Sequence, residues 1–207
     1  MAMVTSRTAD AYDEQAIRAR LEAAGRRESA LFSASCAERL FPMYEAFVAR
    51  TGHGDVQLLW SALDLAWEAS EAMDPPLAEI ATRSADAESL VPSDDDEDWT
   101  EASPIAQNAA AVAYSLRVQL SGDPQDGVWA TRQLYEAADF LVQLAEAHHT
   151  YVQPADEEPI AVAVAGIEAT LDGLGTLSVQ EFKTAAEAGG EQMRGLLHEP
   201  PSGDASR

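Results

Sequence analysis

FSASCAERLFPMYEAFVARTGHGDVQLLWSALDLAW, residues 32–67, is the stretch whose reading decides the fold. Phe32, Cys36, Leu40, Met43 and Phe47 recur at the three- and four-residue spacing that puts side chains on one face of an α-helix. Thr51, Gly52, His53 and Gly54 interrupt the pattern, because glycine admits the backbone conformations that end a helix. Asp55 then supplies a carboxylate of the kind that caps the next one. In that third segment Val56, Leu59, Trp60, Leu63 and Trp67 make one apolar stripe, while Leu58, Ala62, Leu65 and Ala69 lie nearly opposite. Apolar residues on two sides predict a helix central in its bundle. Pro42 falls inside the preceding helix, where it removes a backbone donor and crowds the carbonyl of Glu38, so a kink near residues 38–42 is expected.

Upstream, Tyr12, Ile17 and Leu21 predict a helix over residues 10–25, with Arg26 and Arg27 at its carboxyl end and Ser29 capping the helix that carries the Cys36 face. Downstream, Asp74, Pro75 and Pro76 stop the third helix, and residues 77–83 suit one short helix. Residues 84–103 lose periodicity and contain the acidic run Asp94, Asp95, Asp96, Glu97, Asp98 followed by Trp99, the pattern of a long surface loop. Ser103 with Pro104, and Asp123 with Pro124, open two further helices, to about Leu120 and Thr150. Another is predicted over residues 160–171. Ser178 and Glu181 form a capping box for the last, which fades near His198. Strand alternation and internal repeats are absent. The expectation is an all-α fold: a single compact antiparallel bundle of six to seven helices over residues 1–198, with a long acidic loop and a disordered tail at 199–207.

Composition narrows the function. The 207 residues carry a formal charge of −23, from 36 acidic residues against 13 basic ones, of which only Lys183 is a lysine. Such a field repels phosphate backbones and anionic lipid and favours encounter with a basic protein, so nucleic-acid and membrane binding are not expected. It also keeps a chain soluble, and Arg excess over Lys is what a GC-rich genome or salt adaptation would leave, so the acidity does not by itself specify a partner. No apolar run approaches the roughly 20 residues of a membrane span, and the start lacks the apolar core of a secretion signal, which predicts a cytoplasmic protein. The single Cys36 can neither close an internal disulfide nor build a thiolate metal site alone.

The order and spacing of CAERLFPMYEAF, TGHGD and LLWSALDLAWE resemble the YjaG family of small bacterial cytoplasmic proteins, over residues 31–69 and again over 106–144, where AVAYSLRVQLSGDP fits the next helix and turn. The resemblance implies a helical bundle of unknown function and carries no catalytic motif.

Five residues form a candidate interhelix charge cluster or pocket: Arg39, Asp64, Glu68, Cys36 and Trp60. Arg39 and Asp64 edge the apolar stripes of two successive helices, and a partly buried charge requires a partner, so Arg39 is expected to bridge Asp64, Glu68 or Glu71. Cys36 reads as a small core residue, Trp60, Trp67 and Trp129 as core fillers, and His53 as part of a glycine-permitted turn. His148 and His149 point about 100° apart on a helix and do not readily share a metal. A second candidate is the loop Asp94–Asp98 with Trp99, poised to meet a partner. No catalytic set, metal site or cofactor motif stands out. The reading is a non-catalytic protein that binds another protein, basic in character, or a second copy of itself. Two other readings stay open: an immunity-type inhibitor of a basic toxin or nuclease, and a small-molecule or metal-binding enzyme with its pocket between helices 2 and 3.

Overall fold

The computed structural model describes residues 12–91, 109–148 and 158–197, and of residues 145–148 the backbone alone. The acidic run with Trp99, His149 and the tail lie outside the described residues, as does the side chain of His148. Among the described residues there are eight helices and no strand. They are α1 (Glu14–Ala24), α2 (Arg26–Thr51), α3 (Val56–Glu71), α4 (Leu77–Glu88), α5 (Ala109–Ser121), α6 (Pro124–His148), α7 (Glu158–Gly173) and α8 (Val179–Gly195). The count exceeds the expected six to seven. The short helix expected at 77–83 runs on to Glu88, because Ile80, Ser84 and Ala87 bury one face where aperiodic loop was anticipated.

The helix ends follow the local chemistry with one exception. Asp13 accepts the amides of Gln15 and Ala16 at the start of α1, Asp55 accepts that of Leu58, and Ser178 with Glu181 makes the capping box. The exception is Ser29, which does not cap α2. Gly25, at φ 90°, turns the chain in one residue, and α2 begins at Arg26. Ser29 is instead buried in its first turn, donating to the carbonyls of Gly25 (2.9 Å) and Leu21 (3.2 Å). At the other end, Gly52 is left-handed and Gly54 has φ 105°. A β-carbon on Gly54 would lie 2.5 Å from the Tyr44 hydroxyl, and that hydroxyl accepts the Asp55 amide at 3.1 Å. The turn is locked by a buried tyrosine.

The central helix is α2 and not α3. It packs against α1, α3, α5, α6, α7 and α8, and from Ser29 to Phe47 it is buried nearly all round. A wholly buried helix needs small residues where neighbours cross closely. Serines 29, 33 and 35 serve here because each hydroxyl bonds the carbonyl four residues back, leaving no unmet donor. By contrast α3 turns Gln57, Trp60, Glu68 and Glu71 to solvent.

Pro42 lies within α2, which continues through it to Thr51. The proline leaves the Glu38 carbonyl without its helical donor, and Gly190 of α8 packs there. A β-carbon on Gly190 would sit 3.1 Å from that carbonyl oxygen and 3.0–3.1 Å from the Pro42 ring. A glycine hydrogen therefore meets the orphaned oxygen, as in weak Cα–H···O contacts. Next to it, Gly189 leaves room for the Arg39 side chain, whose Nη1 occupies the space that a β-carbon would take.

Gly190→Ala is expected to destabilise the fold by about 1–3 kcal/mol, the range for overpacking a rigid contact, although alanine alone favours a helix by about 1 kcal/mol. Gly195→Ala, with no atom within 4 Å of the added carbon, is expected to be neutral or slightly stabilising. Urea melts compare the two; equal midpoints would remove the close-packing argument.

Candidate functional site

The residues expected to form one cluster divide between two sides of α2. Cys36 and Arg39 point inward, away from α3. Arg39 is 8% exposed and lies against Gly166 of α7 and Gly189 of α8. Its Nη2 donates to Thr170 Oγ1 at a long 3.5 Å, and its buried Nε has no partner among the described residues. It bridges neither Asp64 nor Glu68 nor Glu71. Burial lowers its affinity for the proton, yet a guanidinium retains its charge. Cys36 is 1% exposed, 3.9 Å from Thr131 Oγ1, and burial pushes its thiol up to about 12 despite Arg39 and Thr131. A thiol so disposed is a packing residue.

The charge that faces α3 is Glu38, one position before Arg39. Its Oε2 accepts the Nε1–H of buried Trp67 at 2.7 Å. Asp64 of α3 pairs with Lys183 of α8 at 3.4 Å, so the chain's single lysine sits where α2, α3 and α8 meet. Burial is the main cause that raises Glu38 above the usual carboxylate range; Trp67 and Lys183 oppose this, and Glu187 and Asp64 add to it. Sequence reasoning missed Glu38 and Lys183. An apolar stripe has two flanks, and periodicity does not say which one meets the next helix.

Trp60 corrects a second expectation. It is 48% exposed and fills no core position, whereas Trp67 is 3% exposed. Trp129 is half-buried, packed on Tyr114 with ring centroids 5.5 Å apart. Gln57, Trp60, Asp64, Glu68 and Glu71 recur at helical spacing and form the outward stripe of α3. Three of the five expected site residues therefore do share a face, but that face looks to solvent. Glu68 is exposed and pairs with none of the described residues. His53 is exposed on its turn. No group of three or more His, Cys, Asp or Glu among the described residues is placed to hold a metal. Gly190 of α8 packs against Pro42; a cleft lies at the other end of α2, beside Arg26 and Arg27.

An all-α bundle with these features has known relatives. The family model described as "Protein of unknown function (DUF416)" matches residues 16–130, and the chain belongs to that family. It is 31% identical over 107 residues to "Uncharacterized protein YjaG" of Escherichia coli (strain K12), a match covering 52% of this chain and 54% of that protein. The match thus spans about half of that relative's length. A crystal structure of a DUF416 family protein from Shewanella baltica OS155 superposes with a TM-score of 0.60 at 20% identity, covering 84% of this chain and 92% of the other. That likeness establishes the shared fold. No helix among the described residues is long and apolar enough to cross a membrane.

Two substitutions test the assignments. Arg39→Met is expected to leave stability unchanged or raise it by roughly 1–4 kcal/mol, as when buried charge gives way to apolar packing; a clear loss on denaturant melting would mean that Arg39 holds a strong ion pair. For Glu38 the folded pKa lies above the unfolded one, so the carboxylate costs stability as pH rises between the two values. Glu38→Gln keeps the acceptor for Trp67. It is expected to be more stable than wild type at pH 7, with the gain shrinking at about pH 3, below the reference value of about 4.3. Melting curves at the two pH values check the sign.

Proposed function

We propose that this protein is a non-catalytic binding protein of the cytoplasm, whose partner is a basic protein engaged through the outward stripe of α3. The observation that carries this reading is Trp60, 48% exposed, on one helical face with Asp64, Glu68 and Glu71. A large aromatic ring left in water gains when a partner covers it, and Trp is enriched among the residues that anchor interfaces. The carboxylates beside it, in a chain of charge −23, steer a basic partner and exclude acidic ones. Lys183 holds Asp64 in place, while Glu68 and Glu71 stay exposed for pairing. The non-catalytic part of the reading is supported by Cys36, buried with its thiol pushed up to about 12, and by Arg39, enclosed between helices.

The test is affinity capture with the whole chain and two variants, Trp60→Ala and the pair Glu68→Arg with Glu71→Arg, each checked for an unchanged melting point. A basic protein should be retained at about 0.1 M salt and released by about 1 M, where charges are screened within roughly 3 Å. Trp60→Ala should weaken capture by about 30-fold, the equivalent of a 2 kcal/mol anchor. Capture that is salt-independent, or equal for wild type and both variants, would sink the proposal.

A further inference from the structure

We infer that the cleft at the amino-terminal end of α2 binds a small monocarboxylate with an apolar body. The cleft has a volume of about 490 Å³ and is lined by Arg26, Arg27, Ser70, Met73, Leu77 and Gln119, among others. This lies within the range of about 300–1,000 Å³ of small-molecule sites.

Its charge runs against the rest of the molecule. In a chain with 36 acidic residues, Arg26 forms no ion pair with a described residue. Arg27 has only a 3.5 Å contact with its neighbour Glu28, whose other oxygen accepts the Gly175 amide. Both cations are positioned. Arg27 Nε donates to the Ser70 carbonyl at 3.1 Å and its Nη1 makes the long contact to Glu28, which fixes the guanidinium at the end of α3 and leaves Nη2 for a ligand. The Arg26 stem lies over Gly122, 3.5 Å from where a β-carbon would be. The first-turn amides of α2 have no side-chain cap and add their dipole to the same region.

The interior of the cleft is polar and incompletely bonded. Gln119 is 4% exposed and donates one amide hydrogen to Ser70 Oγ at 3.0 Å; that hydroxyl is in turn committed to the Ala66 carbonyl. The second amide hydrogen of Gln119 has no acceptor among the described residues. A buried donor left so is costly, and a carboxylate oxygen in the cleft would meet it.

The wall is apolar. Met73 is fully exposed and Leu77 is 49% exposed, two of the four large apolar residues left in water among the described ones, and Pro75 lies with them. Covering them returns the hydrophobic free energy that their exposure forfeits. Asp74, also on the cleft, and Glu28 beside Arg27 offset the formal charge of the two arginines, which disfavours a dianion.

The same chemistry occurs in a free short-chain acid and in the carboxyl-terminal residue of a peptide. Calorimetric titration of the full chain with hexanoate, N-acetyl-leucine and neutral N-acetyl-leucinamide separates them. At least one acid is expected to bind, the better one naming the source, and the amide about tenfold or more weaker. Arg26→Gln, at an exposed residue without a described partner, should weaken the acid about tenfold with an unchanged melting point; Arg27→Gln, which also loses the Ser70 carbonyl, is the secondary variant. Trp60→Ala should have no effect, so failure here is distinct from failure of the α3 stripe. The inference is overturned if neither acid binds up to roughly 10 mM, if the amide binds as tightly, if Arg26→Gln binds like wild type, or if inorganic phosphate binds tighter than both acids.

Discussion

The close crossing of α2 and α8 is the constraint on which the rest of the molecule depends. A proline in the middle of a long helix leaves one carbonyl without a donor and thickens the helix at that point. Here two consecutive glycines, Gly189 and Gly190, let α8 approach the Pro42 ring, the Glu38 carbonyl and the Arg39 side chain at once. A β-carbon at Gly190 would crowd the Pro42 ring and the Glu38 carbonyl at 3.0–3.1 Å, and one at Gly189 would collide with the Arg39 guanidinium. With the crossing made, α2 becomes the axis around which six other helices pack, and its buried serines satisfy their hydroxyls within the helix.

That arrangement also decides where the charges go. Arg39 lies under α7 and α8 with a single long hydrogen bond, so it costs desolvation without the return of an ion pair. Glu38, one residue earlier, takes the opposite side and is held by Trp67 and, through space, by Lys183. The junction of α2, α3 and α8 therefore gathers three carboxylates and the chain's single lysine, a local balance that makes stability depend on pH near that seam. The surface left over separates into two chemistries: an acidic, aromatic stripe on α3 and a basic, apolar cleft where α2 begins. The two differ in sign, the cleft carrying Arg26 and Arg27 in a chain whose net formal charge is −23.

Membership of the DUF416 family supplies a fold without an assigned role. The crystal structure at 20% identity shares the bundle, and the matched region of residues 16–130 contains the α3 stripe, the Arg26–Arg27 pair and Gln119, but not α8 with its two glycines and Lys183. Both surfaces named above thus lie in the part of the chain that defines the family, whereas the α2–α8 seam is completed from outside it.

Much of the fold was legible in the sequence, because helix formation responds to neighbours three and four residues away. Spacing of apolar residues, the Gly-His-Gly turn, Asp55 and the Ser178–Glu181 box located most helices and several caps, and charge composition set the field of the whole molecule. The rotation of each helix about its own axis was not legible. Arg39 and Glu38 flank the same stripe and are equivalent to any periodicity argument; only packing against α8 sends one inward and the other to Trp67. Trp60 looked like core because its apolar neighbours did, and it is the position of α2 at the centre that leaves α3 with a free face. The cleft joins residues near 26, 70 and 119, whose meeting no local pattern encodes. Sequence by itself determined which segments are helices and what charge they carry; the tertiary structure alone decided which side of each helix is buried, because that depends on contacts between residues far apart in the chain.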